Sequence, residues 1–195
     1  MTIIRTVLQL LRARLNASFQ AIEARSEDWV ALVNPVDHDG RVNDGARNKI
    51  VMTLVGLQQD TTIATFGGPT VMADNQYAIT APPIFINVHL LFTANFGDAN
   101  YAAGLNMIGG TIAFFQRNPV FTPDRLPGLP PEIDKLVLEL INLDFMQTNY
   151  LMSMLGLKYL PSVLYRIRML PFADGAISGT AAPYRGPRSP SGPNV

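Results

Sequence analysis

The segment from Ile84 to Phe96 restricts the fold of this chain more than any other. Ile84, Ile86, Val88, Leu90, Phe92 and Phe96 fall on one side of an extended strand, and Asn87, His89, Thr93 and Asn95 on the other. A period of two over so long a run specifies a strand with one packed face. Such a strand needs neighbours for its backbone and a layer to cover its apolar side. The stretch from Lys49 to Leu57 supplies one neighbour; it is an almost unbroken apolar run, the pattern of a strand covered on both faces. Trp29 to Val33 reads as a short strand and Val163 to Leu170 as a final alternating one. Leu136 to Ile141 reads as a strand, although the run also fits a helix.

Helical segments supply the covering layer. From Thr2 to about Arg25, the residues Ile4, Val7, Leu8, Leu11, Leu15, Phe19 and Ile22 recur at helical spacing, with Thr2 placed to cap the N-terminus. Arg5, Gln9, Arg12 and Asn16 occupy the other sides, too sparse in cations for a membrane-surface helix. A second helix is expected from Asp98 to about Gln116, with Tyr101, Leu105, Ile108, Ile112 and Phe115 facing inward and Asn118-Pro119 ending it. Gly109-Gly110 inside it costs about 1 kcal/mol per glycine relative to alanine, which close packing against the sheet, or else against a neighbouring subunit, would offset. A third helix runs from Asp144 to Leu155. Gly156 breaks it, and Pro161-Ser162 turns the chain into the last strand.

The connections are rich in turn formers. Asn34 to Gly40 is one such segment, and Pro123 to Pro131 another. Gln58 to Tyr77, which contains Gly67-Gly68-Pro69, reads as a long hairpin or loop and a candidate contact element. From Pro171 the chain is rich in Gly, Pro and Ser and cannot build a core. The expectation is one α+β domain over residues 1–171, a mostly antiparallel sheet flanked by helices, followed by a flexible arm over 172–195.

Of 195 residues, 48% are apolar and only 15% charged, against about 25% charged in average usage. A surface so short of charge suits one covered by partners, although a lightly charged globular domain has the same composition. The 15 basic and 15 acidic residues cancel, so no net field draws the chain to nucleic acid or an anionic membrane. No run approaches the roughly 18 apolar residues of a membrane span. Arg12 and Arg14 interrupt the apolar stretch that a secretory signal would need, so assembly in the cytoplasm is expected. With no cysteine, disulfides and thiolate metal sites are excluded.

Candidates for chemistry are few. His89 lies on the polar side of its strand without a His or carboxylate nearby in sequence and reads as structural. His38 sits in Asp37-His38-Asp39-Gly40, followed by Asn43-Asp44-Gly45. The oxygen spacing and terminal glutamate of a calcium loop are missing, so the segment reads as a solvated turn. There is no nucleophile elbow, Walker loop or dinucleotide fingerprint. No catalytic, cofactor or metal residue is assigned, and an enzyme is not expected. Arg166 and Arg168 share one face of the last strand, opposite Tyr165, Ile167 and Met169. They either meet acidic groups on a neighbouring subunit or are solvated. Arg185 and Arg188 in the arm are further candidates for a protein interface.

Several segments together carry a family resemblance. The longest is Leu155-Gly156-Leu157-Lys158-Tyr159-Leu160-Pro161-Ser162 with the strand that follows to Leu170. Asn48 to Val55, Pro82 to Ala94 and Phe114 to Thr122 stand in matching order and spacing. With these, the chain resembles the cap, or tube-terminating, proteins of extracellular contractile injection systems of the antifeeding-prophage and Photorhabdus virulence cassette type, over roughly Ile3 to Leu170. One departure is Met152, where family members usually carry tryptophan; methionine fills the same kind of apolar pocket.

The resemblance implies a tail-terminator-like fold and a structural role, without catalysis or cofactor. It further implies a ring of six copies at the end distal to the baseplate, with the inner tube protein and the contractile sheath protein as partners. Such a ring stops tube growth and anchors the last ring of sheath, in a particle that is either retained or released. Two alternatives stand beside it: a tail-completion protein of a contractile-tailed phage, and an α+β domain that binds a ligand or peptide through its loops.

Overall fold

Helix α1 (Ile3–Ile22) forms where the apolar period requires it, burying Val7, Leu8, Leu11, Leu15 and Phe19. It stops at Ile22 rather than near Arg25 because Gln20 draws the following chain into a turn. The Gln20 amide nitrogen donates to the carbonyls of Arg25 and Glu27, and its oxygen accepts from the Arg25 N–H. The Arg25 guanidinium then lies 3.8 Å over the ring of Trp29. This computed structural model describes residues 3–37, 39–62, 70–71, 77–80, 84–172 and 177–181, so the expected cap Thr2 lies outside them.

In chain order the strands are β1 (Val30–Leu32), β2 (Lys49–Gln59), β3 (Thr70–Val71), β4 (Tyr77–Thr80), β5 (Ile84–Asn95), β6 (Val120–Phe121), β7 (Leu136–Ile141), β8 (Ser162–Phe172) and β9 (Ile177–Ala181). The main sheet has the order β1-β2-β5-β8-β7-β6. It is parallel between β1 and β2 and antiparallel at every other boundary. The α+β expectation therefore holds, and Leu136–Ile141 is a strand: Leu136 and Leu138 point into the core while Glu139 points away.

Three local expectations change. Gln58 and Gln59 extend β2 instead of opening the segment that follows, and β3 pairs antiparallel with the start of β4 inside the stretch expected as a long hairpin or loop. Pro171 and Phe172, expected to begin the arm, finish β8 opposite Phe85 and Ile84. Proline is tolerated there because β7 has already ended its pairing at Arg168, leaving β8 an edge on that side. Ile177–Ala181 pairs with β4 in a second antiparallel sheet of order β3-β4-β9. So short a strand, carrying Gly179, has no periodic signal of its own.

Helix α2 (Tyr101–Arg117) lies beside α1 on one face of the main sheet, but with its inner side rotated from the expected one. Gly104, Met107, Ile108, Thr111, Phe114 and Phe115 are buried, whereas Tyr101 and Leu105 are exposed. Two glycines set the rotation. A β-carbon at Gly104 would lie 2.9 Å from the Phe96 ring, and one at Gly110 the same 2.9 Å from the Phe19 ring. Gly110 thus seats α2 against α1 rather than against the sheet, and Gly109 faces open space. Thr111 hides its hydroxyl by donating to the Met107 carbonyl at 2.9 Å. Beneath the helices Phe92, Phe114, Phe115, Phe121 and Tyr165 stack with neighbouring centroids 4.8 to 6.2 Å apart.

The opposite face of the sheet carries α3 (Phe145–Met154). A capping box starts it: the Asp144 carboxylate accepts from the Gln147 N–H at 2.7 Å, and the Gln147 side chain accepts from the Asp144 N–H at 3.1 Å. Gly156, at φ 67°, ends the turn that follows, a conformation that favours glycine. Under α3 lies a small separate cluster of Leu91, Met152 and Leu164, so Met152 does fill an apolar pocket. Thr93, on the side of β5 expected to be polar, is buried, and Leu91 on that same side packs in the cluster under α3. Strand β2 is covered on both faces only over Ile50–Thr53; from Leu54 its side chains open towards solvent.

Candidate interaction site

The outer face of the main sheet, the one bearing α3, divides into a polar half and an apolar half. Register builds the polar half. Glu139 on β7 pairs with Arg166 on β8, Arg166 with His89 on β5, and His89 with Gly56 on β2. One row therefore crosses four strands. Arg166 Nη2 donates to Glu139 Oε2 at 2.6 Å, and Arg168 Nη1 donates to Glu139 Oε1 at 3.1 Å. One carboxylate serves two guanidiniums, so the trio keeps one positive charge. The two arginines share the outer face, with Tyr165 and Ile167 buried on the other. Their acidic partner is the chain's own Glu139, with about a third of each side chain still open to solvent.

Three groups along this half have shifted acidities. The hydrogen bond from Arg166, and after it that from Arg168, holds the Glu139 carboxyl below its ordinary 4.5 against the opposing effect of burial. Asp60, just beyond β2, is lowered to about 2 by the Thr62 hydroxyl and N–H and by the Asn87 amide. Burial, then the charge of Arg166, lowers His89, so its imidazole is neutral near pH 7.

All three shifts act with the same sign. Each folded-state pKa lies below its unfolded value, so each contribution to stability is present above the unfolded pKa and lost as pH falls through the folded one. Stability is expected to decline in acid, first through His89 below 6.5 and then through Glu139 below 4.5. Glu139→Gln is expected to cost about 1 kcal/mol near neutrality, a value held down by solvent exposure of the pair. The same variant flattens the decline below pH 4.5. Urea melts from neutral pH to about pH 3 check this, and an unchanged acid slope would contradict it.

The apolar half is α3 and its surroundings. Phe145 is 97% exposed, Met146 61%, Tyr150 63%, Met154 63% and Tyr159 72%. Leu140, Leu143, Phe145, Tyr159, Val163 and Leu164 line an open groove between α3 and the sheet. Sequence reasoning assigned α3 correctly and overlooked this surface. The signal was available: from Phe145 to Leu157 no residue is charged.

Among the described residues no reacting constellation emerges. The described residues hold no cluster of metal-ligating side chains. Asp37 and Asp44 belong to turns: the Asp37 carbonyl accepts from the Gly40 N–H, and Asn43 caps the short helical turn Asp44–Ala46. His38, Arg185 and Arg188 lie outside the described residues. No described helix is long and apolar enough to cross a membrane. The face offers surface: one charge-bearing row beside one uncharged helix with exposed Phe145, Met146, Tyr150 and Met154.

Residues 5–185 match the family model described as the Pvc16 N-terminal domain. The fold is similar to that of the PVC sheath/tube terminator of an extracellular contractile injection system in its extended state, with a TM-score of 0.63 at 13% identity. That likeness covers 100% of this chain and 65% of the terminator. It is also similar to the tube-terminating cap of the anti-feeding prophage, with a TM-score of 0.54 at 12% identity over 92% of this chain and 59% of the cap. The chain thus spans less than two thirds of either solved structure. No curated protein matches the sequence.

Proposed function

Because the chain belongs to the Pvc16 N-terminal domain family, we propose that it is a structural cap of a phage-tail-like contractile injection particle. In this reading copies of the chain form a ring of six that ends the inner tube and holds the last ring of contractile sheath. Its partners are itself, the tube protein and the sheath protein. It acts by contact alone, without cofactor or catalysis, and joins the particle in the cytoplasm. The observation that carries the reading is the family match over residues 5–185, on a fold shared with two tube terminators.

The physics of a terminator fits such a chain. Tubes grow because each ring offers a face that the next ring accepts, a heterologous contact that does not close along the axis. A terminator copies the accepting face and lacks the donating one. It must also bear load when the sheath contracts, which favours many distributed contacts over one hot spot. A rigid six-stranded sheet with uncharged and charged surface on its outer face supports that. Arg166 and Arg168 keep donors beyond those given to Glu139 and are available to acidic groups on a neighbour.

The test is addition of the purified chain to polymerising tube protein, with tube lengths measured by negative-stain microscopy. Tubes are expected to stop growing severalfold shorter; unchanged lengths would count against the reading. A chain truncated after Ala181 removes Arg185 and Arg188, and is expected to cap tubes as before while losing sheath from assembled particles. Full sheath retention would sink the proposal that the residues after Ala181, with Arg185 and Arg188, hold the sheath.

A further inference from the structure

The fold gathers three arginines that stand far apart in the sequence. Arg14 of α1, Arg117 in the last turn of α2 and Arg125 in the segment after β6 meet on the helical side of the sheet, across the molecule from α3. Two adjoining grooves hold them. Arg14, Ala17 and Ala21 of α1 line the first with Arg117, and Arg14 lines the second with Arg125 and Pro127. Arg14 and Asn118 belong to both grooves, so the two form one continuous trough.

All three arginines are exposed, and none is ion-paired among the described residues. Elsewhere the arginines are engaged: Arg12, two residues from Arg14, pairs with Asp28 at 3.1 Å, and Arg166 and Arg168 share Glu139. Arg117 commits only Nε, which donates to the Ala113 carbonyl at 3.2 Å and leaves both terminal nitrogens. Asp124 is the one carboxylate lining either groove. The Thr122 hydroxyl, then a backbone N–H and the charge of Arg125, hold it below its ordinary 3.8, so it is ionised near neutrality and offsets one of the three charges. The trough therefore keeps two positive charges on a chain whose formal net charge is zero.

The distribution of these charges selects what they fit. Three guanidiniums spread along a trough suit several anionic groups carried in a row, rather than one ion. Each offers a planar fork that matches a carboxylate with two hydrogen bonds. The remaining lining includes Ala17, Ala21 and Pro127, which offer apolar contact. A nucleic acid brings a phosphate with every nucleotide and needs many cations together; two net charges beside apolar surface match it poorly. A polypeptide with acidic residues spaced among small apolar ones matches both parts of the lining.

We infer that the trough bearing Arg14, Arg117 and Arg125 is a docking site for an acidic polypeptide segment of a partner protein. The site is independent of the cap reading, since it is argued from charge and shape alone and lies on the other side of the sheet from Arg166 and Arg168.

The experiment titrates the full chain into a fluorescein-labelled hexaglutamate peptide at low salt and follows fluorescence anisotropy. Saturable binding is expected, weakening as salt is raised. Arg14→Glu with Arg117→Glu is expected to weaken it roughly tenfold or more, since two attractions become repulsions. Arg5→Glu with Arg41→Glu makes the same change in net charge at exposed positions outside the trough, and is expected to leave binding within about twofold of wild type. Circular dichroism checks the fold of each variant. Arg14→Gln with Arg117→Gln introduces no new charge, and is expected to weaken binding in the same direction should the reversals disturb α1 or α2. A wild type that leaves the peptide free up to about 1 mM protein overturns the inference. Equal weakening by the two reversal variants also overturns it, because the peptide would then report net charge and no site. Tighter uptake at the same arginines of a hexathymidylate oligonucleotide, or of phosphatidylserine vesicles, overturns the polypeptide as the occupant.

Discussion

Phe115→Ala is expected to lower stability by about 3–5 kcal/mol, the loss of a fully buried aromatic side chain. Phe115 is 2% exposed and sits at the centre of the aromatic cluster. Its ring lies 4.8 Å from Tyr165, 5.1 Å from Phe114 and 5.3 Å from Phe92. It therefore joins α2 to two neighbouring strands, β5 and β8. Truncation forfeits the transfer of a benzyl group and leaves a hole that these rigid rings cannot collapse into. Since a domain of this size has only about 5–15 kcal/mol in hand, the variant loses a large fraction of its stability. Urea unfolding followed by circular dichroism measures it. A loss below about 1 kcal/mol would mean that the rings repack freely and that α2 is not anchored through them.

Met152→Asp is expected to act as strongly but in a different place. Met152 is 3% exposed within a cluster whose other buried members are only Leu91 and Leu164. A carboxylate there has no partner, and burying it costs several kcal/mol unless α3 lifts off the sheet. Lifting is the cheaper outcome, because the main core lies on the other face and does not depend on α3. Hydrogen exchange is therefore expected to show amides of α3 losing protection while those of α1 and α2 keep theirs. Uniform loss of protection would contradict the independence of the two clusters.

How legible these features were in the sequence depended on whether one residue's surroundings could be read from its neighbours. Helix α1 and strand β5 were plain because each repeats its apolar residues with one period over a long run. The stop of α3 was plain too, through Gly156, and its start at Asp144 is the capping residue of the structure. The rotation of α2 was hidden, because its buried side contains Gly104 and Thr111, which no apolar pattern counts. Those residues are inside because of Phe96 and Phe19, contacts distant in sequence. The burial of Leu91 was hidden for the same reason: its cover, α3, comes much later in the chain.

The candidate site divides likewise. Alternation alone placed Arg166 and Arg168 on one face, but only the register of β7 against β8 brings Glu139 to both. Strand β9 was taken for arm because five residues including a glycine carry too little pattern; its pairing with β4 is a matter of backbone, not of composition. The apolar outer side of α3 was visible only as an absence of charge from Phe145 to Leu157, because the helix has no amphipathic period that would set its outer side apart from its inner one.

The most direct measurement is the length and sheath content of injection particles assembled with and without this chain, imaged by negative-stain electron microscopy. A cap predicts particles of defined length in its presence, and tubes that are uncapped, over-long or stripped of sheath in its absence. Particles of normal length that keep their sheath without it would contradict the role, leaving the shared fold without the shared task.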